Sequence, residues 1–463
     1  MQLLEVASRG VRVSTPTTQI IHASPRQEPL SFMLRHSFVI RASSFVIFLL
    51  LAFSATCADQ LEAGAATVDI TPPVGLPMWG YGARHDKPNE GVLDPLHANA
   101  LVLAVGESKL AIVGLDLGRA PTRKSMAAIR ERTKEAAGIE HVLIVGSHTH
   151  HGPVLEVDDL PSSEKSYVRE LERKIAQAII AADKNRRPAQ IGVARREIEM
   201  NRNRHSKLPD KPVDRELAVI RVDDRDGKPI AIAVNFAAHP TMIPAEKMLY
   251  SADYPGAMKP VVEKELGGTC LFLQGAAGDM SANPGEHRGH EAFGQALGRE
   301  VISLAREIQT QPAAKPSIKV REEDFKFPKM RINLNDPLVR TAYAQAFFKG
   351  LVDFYVDEYS EGVRPHLTVS LINGELGLVG ASGEFFSSHA IRLKQRSRLP
   401  HTLFFGYAND YQQYFPTIEA AAEGGYGADP GVSPVELGAG ETIMNRALFH
   451  LYDMQGKYNK LPF

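Results

Sequence analysis

His141-Val142-Leu143-Ile144-Val145-Gly146 runs straight into Ser147-His148-Thr149-His150-His151-Gly152-Pro153, and the junction reads as a buried strand ending in a chemically loaded loop. The first part is a short apolar run rich in β-branched residues, and Gly146 and then Gly152-Pro153 mark where extended backbone stops. Alternate side chains of an extended segment share a face, so His148 and His150 point one way and His151 another. Two imidazoles on one face either bind one metal together or divide the duties of ligand and acid/base. The cluster takes three of the 16 histidines within four positions.

Working outward, the chain has the composition of an ordinary globular protein. Of its 463 residues 44% are hydrophobic and 23% charged, enough for one large domain or two moderate ones. With 53 Lys+Arg against 54 Asp+Glu there is no global electrostatic case for nucleic acid or an anionic membrane.

Residues 1–58 differ from the rest. Arg9, Arg12, Arg26, Arg35 and Arg41 face only Glu5 and Glu28, then an apolar run from Phe45 to Phe53 leads to small residues before Asp59. This is the pattern of a secretory leader, with Met33 as an alternative start, and it implies export to the periplasm or outside the cell. The apolar core is short for a membrane span, so no stable span is expected once the leader is removed. Cys270 is then the one remaining cysteine, which rules out an intrachain disulfide and a thiolate metal cage.

From Ala63 onward strands and helices alternate. ANALVLAV and KLAIVGLDLG read as strands, and Thr122 to Ala137 as a helix closed by Gly138. Val168, Leu171, Ile175 and Ile179 give Ser162 to Asp183 a core-facing helical stripe. LAVIRV and IAIAVNF flank Asp224-Arg-Asp-Gly, a hairpin signal that makes the sheet mixed. CLFLQG, a helix from His290 to Ile308, a proline-rich stretch of low periodicity, LTVSLING, ELGLVG and a helix through Ala390 follow. The expected fold is α/β: a large mixed β-sheet flanked by helices, forming a single catalytic domain over residues 59–463.

Reactive residues recur where these strands end. His239 stands before Pro240, Gln274-Gly-Ala-Ala-Gly-Asp279-Met-Ser281 follows CLFLQ, Glu384 follows ELGLVGAS, and Tyr407, Tyr411 and Tyr414 follow HTLFF. Strand ends are the usual seat of sites in α/β folds.

Taken in order, VDITPP, GYG, LDLG, SHTHHGP, NRNRHS, NFAAHP, GDMSAN, GASGEFF and GYANDYQQY resemble the motifs of the neutral ceramidase family, zinc amidases that hydrolyse the N-acyl bond of ceramide. The resemblance implies one Zn2+ per chain held by His148, His239, Glu384 and Tyr414. It implies His150 as the proton-transferring group, Ser281 as a nucleophile or a water-orienting hydroxyl, and Arg204 as a site arginine. The implied partner is a small-molecule N-acyl substrate, ceramide-like; a non-sphingolipid amide or ester, or ligand capture without turnover, are the alternatives. Several positions depart from the family: His151 replaces a serine, Ala282 a proline, and Ser251-Ala-Asp253-Tyr-Pro-Gly-Ala and Glu423-Gly-Gly-Tyr426-Gly replace longer motifs. No immunoglobulin-like C-terminal domain is expected before Phe463.

Overall fold

Successive apolar residues along the central strands pack on opposite faces, and this sets the layering. The computed structural model describes residues 60–157 and 166–458; the expected leader lies outside the described residues. In β1 (Glu62–Asp69), β2 (His97–Val105), β3 (Ser108–Leu115) and β4 (His141–Gly146) one set of side chains faces helices and the other faces a second sheet. Ala98, Ala100, Val102, Val113 and Ile144 pack on the helix side, whereas Leu101, Leu103, Ile112, Leu143 and Val145 pack on the sheet side.

The same rule governs β5 (Arg187–Glu197), β6 (Glu216–Asp224), β7 (Pro229–Phe236) and β8 (Thr269–Gln274). The full sheet runs β8-β7-β6-β5-β1-β2-β3-β4, with parallel pairs at β8-β7 and β3-β4 and antiparallel pairs between. The second sheet contains β9 (Ile318–Asp324), β10 (His366–Ile372), β11 (Leu376–Ala381) and β12 (His401–Phe405), in that order.

Helices α1 (Arg123–Ala137) and α2 (Tyr167–Lys184) cover one half of the large sheet, and α3 (Asp253–Leu266) and α4 (His290–Glu307) the other. Helices α7 (Ser387–Ser397) and α8 (Ala439–Met454) cover the outer face of the small sheet. The result is four layers, helix on sheet on sheet on helix. In α2 the stripe Val168, Leu171, Ile175, Ile179 is buried as its spacing predicts, each side chain contributing roughly 1.5–3 kcal/mol. Thr122 caps α1 by accepting from the Ser125 amide, and Gly138 closes it at φ 64°.

Two features depart from the sequence reading. Asp253–Leu266 is helical despite Pro260 in its interior, because Tyr254, Met258 and Val262 bury against the sheet and this offsets the lost backbone bond. The low-periodicity stretch folds into β9 and a helical hairpin, α5 (Pro337–Ala346) and α6 (Lys349–Glu358). In α5 only Tyr343 is buried, so it has no apolar stripe for periodicity to detect.

The large sheet is two four-stranded halves joined through two residue pairs, Glu62 with Pro188 and Ala63 with Arg187. The outer strand β8 returns against β3, where a Cβ on Gly114 would stand 2.7 Å from the Phe272 carbonyl oxygen. Curling the sheet in this way brings the ends of β4, β7 and β8 to one place.

Candidate metal centre

Gln274, at the end of β8, ties that place together. Its Nε2 donates to the Ser147 carbonyl at 3.0 Å and to the Ala238 carbonyl at 2.8 Å, so one fully buried amide clamps the loops that carry His148 and His239. The two histidines are 91 positions apart, yet their Nε2 atoms lie 3.0 Å from each other.

Backbone carbonyls fix the tautomers. His148 Nδ1 is 2.8 Å from the Gly118 carbonyl and His239 Nδ1 2.7 Å from that of Ala277. A carbonyl only accepts, so each Nδ1 carries the proton and each Nε2 presents a bare lone pair. Glu384 arrives from beyond β11 with Oε2 at 3.3 Å from His148 Nε2 and 3.2 Å from His239 Nε2. Three electron-pair donors thus converge at hydrogen-bond distance, an arrangement that suits a cation among them. The donor set, two imidazoles and a carboxylate, matches a catalytic zinc site. Carbonyl-bound Nδ1 atoms are the outer support such ligands use.

The charge states agree. Burial, the Arg204 charge and His148 depress His239 to about 3, against the pull of Glu384, so it is neutral at physiological pH. Burial works to raise the Glu384 carboxyl, but His148 and His239 outweigh it and hold it well below its ordinary value.

His150 joins the group, its Nε2 3.4 Å from that of His148; ligand atoms of His148, His150 and His239 all lie within 4.8 Å of one another. Alternation along an extended segment would put His148 and His150 on one face. Their convergence has a different cause: β4 ends at Gly146, and His148 is left-handed at φ 69°. Tyr407, Asn409 and Gln413 in the facing loop are also left-handed, at φ 55°, 56° and 60°, and strain of this kind persists where the surroundings over-determine the backbone. Burial, with His148 and His239 nearby, holds the His150 imidazole well below its ordinary pKa.

Arg204, an exposed residue at its stem, extends Nη2 inward to His239 Nε2 at 2.9 Å, the Gly278 carbonyl at 3.1 Å and the Tyr414 hydroxyl at 3.1 Å. Ser281 lies in the short strand Met280–Ala282, bridged to His239 and paired with Arg202 of Asn201–Asn203. The structure therefore brings His148, His150, Arg204, His239, Glu384 and Tyr414 together, with Ser281 alongside through its backbone bridge to His239. Tyr414 meets Arg204 there and also interacts with the Glu384 carboxylate, which further accepts from Tyr411, donating to Oε1 at 2.6 Å, and from Tyr407, to Oε2 at 3.3 Å. The sequence reading assigned neither a role. The three tyrosines share one motif, and spacing alone does not rank them.

Beside the centre opens a pocket lined on its polar side by His85, His150, Glu384, Tyr411, Gln413 and Tyr414 and elsewhere mainly by aromatic and aliphatic side chains. The GYG motif forms one rim. A Cβ on Gly80 would meet the His150 ring at 2.5 Å and one on Gly82 the Ala346 carbonyl at 2.4 Å, so both positions need glycine. His151 turns away. Its Nε2 accepts from Arg84 Nη2 at 2.8 Å, and Arg84 Nη1 donates to the His150 carbonyl at 2.5 Å.

Residues 61–292 match the family described as neutral/alkaline non-lysosomal ceramidase, N-terminal. Neutral ceramidase 3 of Arabidopsis thaliana is 29% identical over 223 residues, which is 43% of this chain and 30% of that protein. Neutral ceramidase 2 of the same organism is 27% identical over 242 residues, 47% of this chain and 32% of that protein. The chain thus spans about a third of the length of these curated relatives. The crystal structure of neutral ceramidase from Pseudomonas aeruginosa shares the fold, with a TM-score of 0.70 at 20% identity over 88% of this chain and 75% of that one. The matched family segment holds His148, His150, Arg204, His239 and Ser281; Glu384 and Tyr414 lie beyond it, and the fold delivers them.

Proposed function

Since the chain belongs to the neutral/alkaline non-lysosomal ceramidase family, we propose that it is a zinc-dependent amidase cleaving a linear N-acyl amide, ceramide-like, to a fatty acid and an amine. The observation that carries this reading is the meeting of His148 Nε2, His239 Nε2 and Glu384 Oε2 within 3.3 Å. These three residues would hold the ion, with the Tyr414 phenol at its margin. Bound there, zinc supplies Lewis acidity and a water whose pKa falls to about 7.

The chain's own residues do the rest. Hydrolysis adds hydroxyl to the acyl carbon and a proton to the departing nitrogen, so a proton must travel between them. His150, neutral and facing the chamber, is placed to accept and deliver it at Nε2. Arg204 brings a fixed positive charge to the position where negative charge develops on the carbonyl oxygen. Ser281, beside His239, hydrogen-bonds the substrate or its attacking water. Tyr411 holds Glu384 Oε1 and so leaves Oε2 to the histidines.

The basic and apolar leader pattern supports work outside the cytoplasm. Among the described residues no helix is long and apolar enough to cross a membrane.

Purified protein should contain one zinc per chain and release fatty acid from an N-acylsphingosine. Equal or faster cleavage of non-sphingolipid amides or esters in the same panel would move the substrate assignment. One zinc per chain with no turnover of any member would replace the enzyme reading by ligand capture.

A further inference from the structure

Arg119, in the loop after β3, is a cation that is only 1% exposed, and every nitrogen of its guanidinium is engaged. Nε donates to the Ala120 carbonyl at 3.0 Å, Nη1 to Glu156 Oε1 at 3.0 Å and Nη2 to Asp410 Oδ1 at 2.8 Å. The two buried carboxylates are themselves shared. Glu156 also accepts from the Trp79 indole at 3.0 Å, the Leu155 amide at 3.0 Å and the Tyr355 hydroxyl at 3.4 Å, and Asp410 accepts from Gln412 Nε2 at 2.7 Å. A well-packed apolar replacement is often as stable as a buried ion pair or more so, so three buried charges call for a reason other than stability.

Each segment that meets Arg119 supports part of the metal centre. The residue before it is Gly118, whose carbonyl accepts from His148 Nδ1 at 2.8 Å, and the Leu117 carbonyl accepts from the His148 amide at 2.9 Å. The residue after Asp410 is Tyr411, whose hydroxyl donates to Glu384 Oε1 at 2.6 Å and whose ring centroid lies 5.2 Å from the guanidinium carbon. Trp79, held by Glu156, stands edge-on to His148, His150 and Tyr411, with ring centroids at 5.1, 5.5 and 5.4 Å. A planar fork that grips two carboxylates fixes both distance and angle between the segments that carry them.

We propose that Arg119 is the positioning residue that holds His148 and Glu384 in register, through Gly118 on one side and through Asp410 and Tyr411 on the other. It stands outside the pocket lining and acts through these neighbours. The inference rests on the metal-dependent reading above.

Zinc affinity, measured by competition with a chelator on folded protein, tests it without turnover. Arg119→Lys keeps the charge and loses the fork, and zinc should bind about 10- to 100-fold more weakly, the scale for outer support of a ligand. The triple variant Arg119→Met/Glu156→Gln/Asp410→Asn leaves no charge buried and unpaired, so it should fold and yet show the same loss. Cobalt(II) loaded in place of zinc should give a visible spectrum that differs from that of the native chain, because ligand geometry has changed. Combined with Tyr411→Phe, the Arg119→Lys loss should be less than multiplicative, since both act on Glu384 by one route. Folded variants with native zinc affinity and an unchanged cobalt spectrum overturn the proposal, as do losses that multiply; a role confined to stability would move the urea midpoint alone. If the native chain binds no zinc, the metal reading itself falls and this inference with it, whereas native binding matched by the variants removes the inference only.

Discussion

His148 and His151 sit three positions apart in one loop and are equally buried, yet their Nε2 atoms face opposite chemistry. Around His148 the neighbours are a second bare imidazole nitrogen and a carboxylate oxygen, all electron-pair donors of the kind that suit a cation. Around His151 the neighbour is already a cation, the Arg84 guanidinium, which also grips the His150 carbonyl and the rim through Trp79 O. One imidazole is set for an ion that can exchange, the other for an ion built into the chain. A histidine-rich loop can therefore hold its reactive end rigid by means of its other end, with His151 as the brace.

The comparison breaks most completely if His148 is not a ligand. In the His148→Ala/His239→Ala double variant, metal content by plasma mass spectrometry should fall to background. Amide hydrolysis should drop on the order of 10³-fold or more, the several kcal/mol that metal assistance supplies. Retained metal and rate would remove the distinction between the two ends of the loop.

The His151 end is tested by pH. Burial, followed by the Arg84 charge, lowers this imidazole to about 4, against about 6.5 in an unfolded chain. A depressed histidine contributes stability that is fully present above the unfolded value and is lost as pH falls through the folded one. Unfolding free energy should therefore decline between about pH 6.5 and 4, by up to about 3 kcal/mol from this group. His151→Gln, which keeps an acceptor for Arg84 and cannot charge, should flatten that limb of the stability curve measured by urea titration.

How far the sequence led follows the same physical division. Strand ends are legible because β-branched runs stop at glycine or proline, and they located His148, His239, Glu384 and the three tyrosines. The helix-facing and sheet-facing alternation was present in β2 and β4 as well, but with both faces apolar it does not announce a second sheet. The hairpin of α5 and α6 was hidden because α5 buries only Tyr343, and Phe347 and Phe348 face the chamber from the turn between the two helices. Nothing in a polar residue closing CLFLQ says that its amide spans two loops, so the role of Gln274 is legible only in the fold.

That clamp is the next test. Gln274→Leu keeps approximate volume but strands the Ser147 carbonyl and the Ala238 amide, which donates to Gln274 Oε1 at 3.2 Å, each losing a buried partner at about 1–3 kcal/mol, while the Ala238 carbonyl keeps the Tyr254 hydroxyl at 2.7 Å. Loops that are no longer tied let His148 and His239 drift, so zinc affinity should weaken about 10- to 100-fold, the usual scale for outer support of a ligand. Competition with a fluorescent chelator measures it. Because His151 is not held by Gln274, the acid limb of the stability curve should keep its slope in this variant. Loss of both properties together would mean the two ends of the loop are one structural unit.

The smallest effect separates Tyr411 from Tyr414. Both phenols are buried and pushed well above their ordinary pKa, first by burial and then by the Glu384 charge, so both remain protonated donors across the working range. Tyr411 spends its proton on Glu384 Oε1 at 2.6 Å, the lone pair turned away from the histidines. Tyr411→Phe removes one hydrogen bond to a charged group, about 1.5–3 kcal/mol, but leaves every proposed ligand in place. The carboxylate then gains freedom to rotate, and the expected result is a roughly tenfold weaker metal affinity with near-native kcat/KM at saturating zinc. Tyr414→Phe frees Arg204 instead, so its loss should appear in kcat/KM even when metal is saturating. If the two variants exchange these signatures, it is Tyr411 that belongs to the reaction and Tyr414 that merely supports the carboxylate.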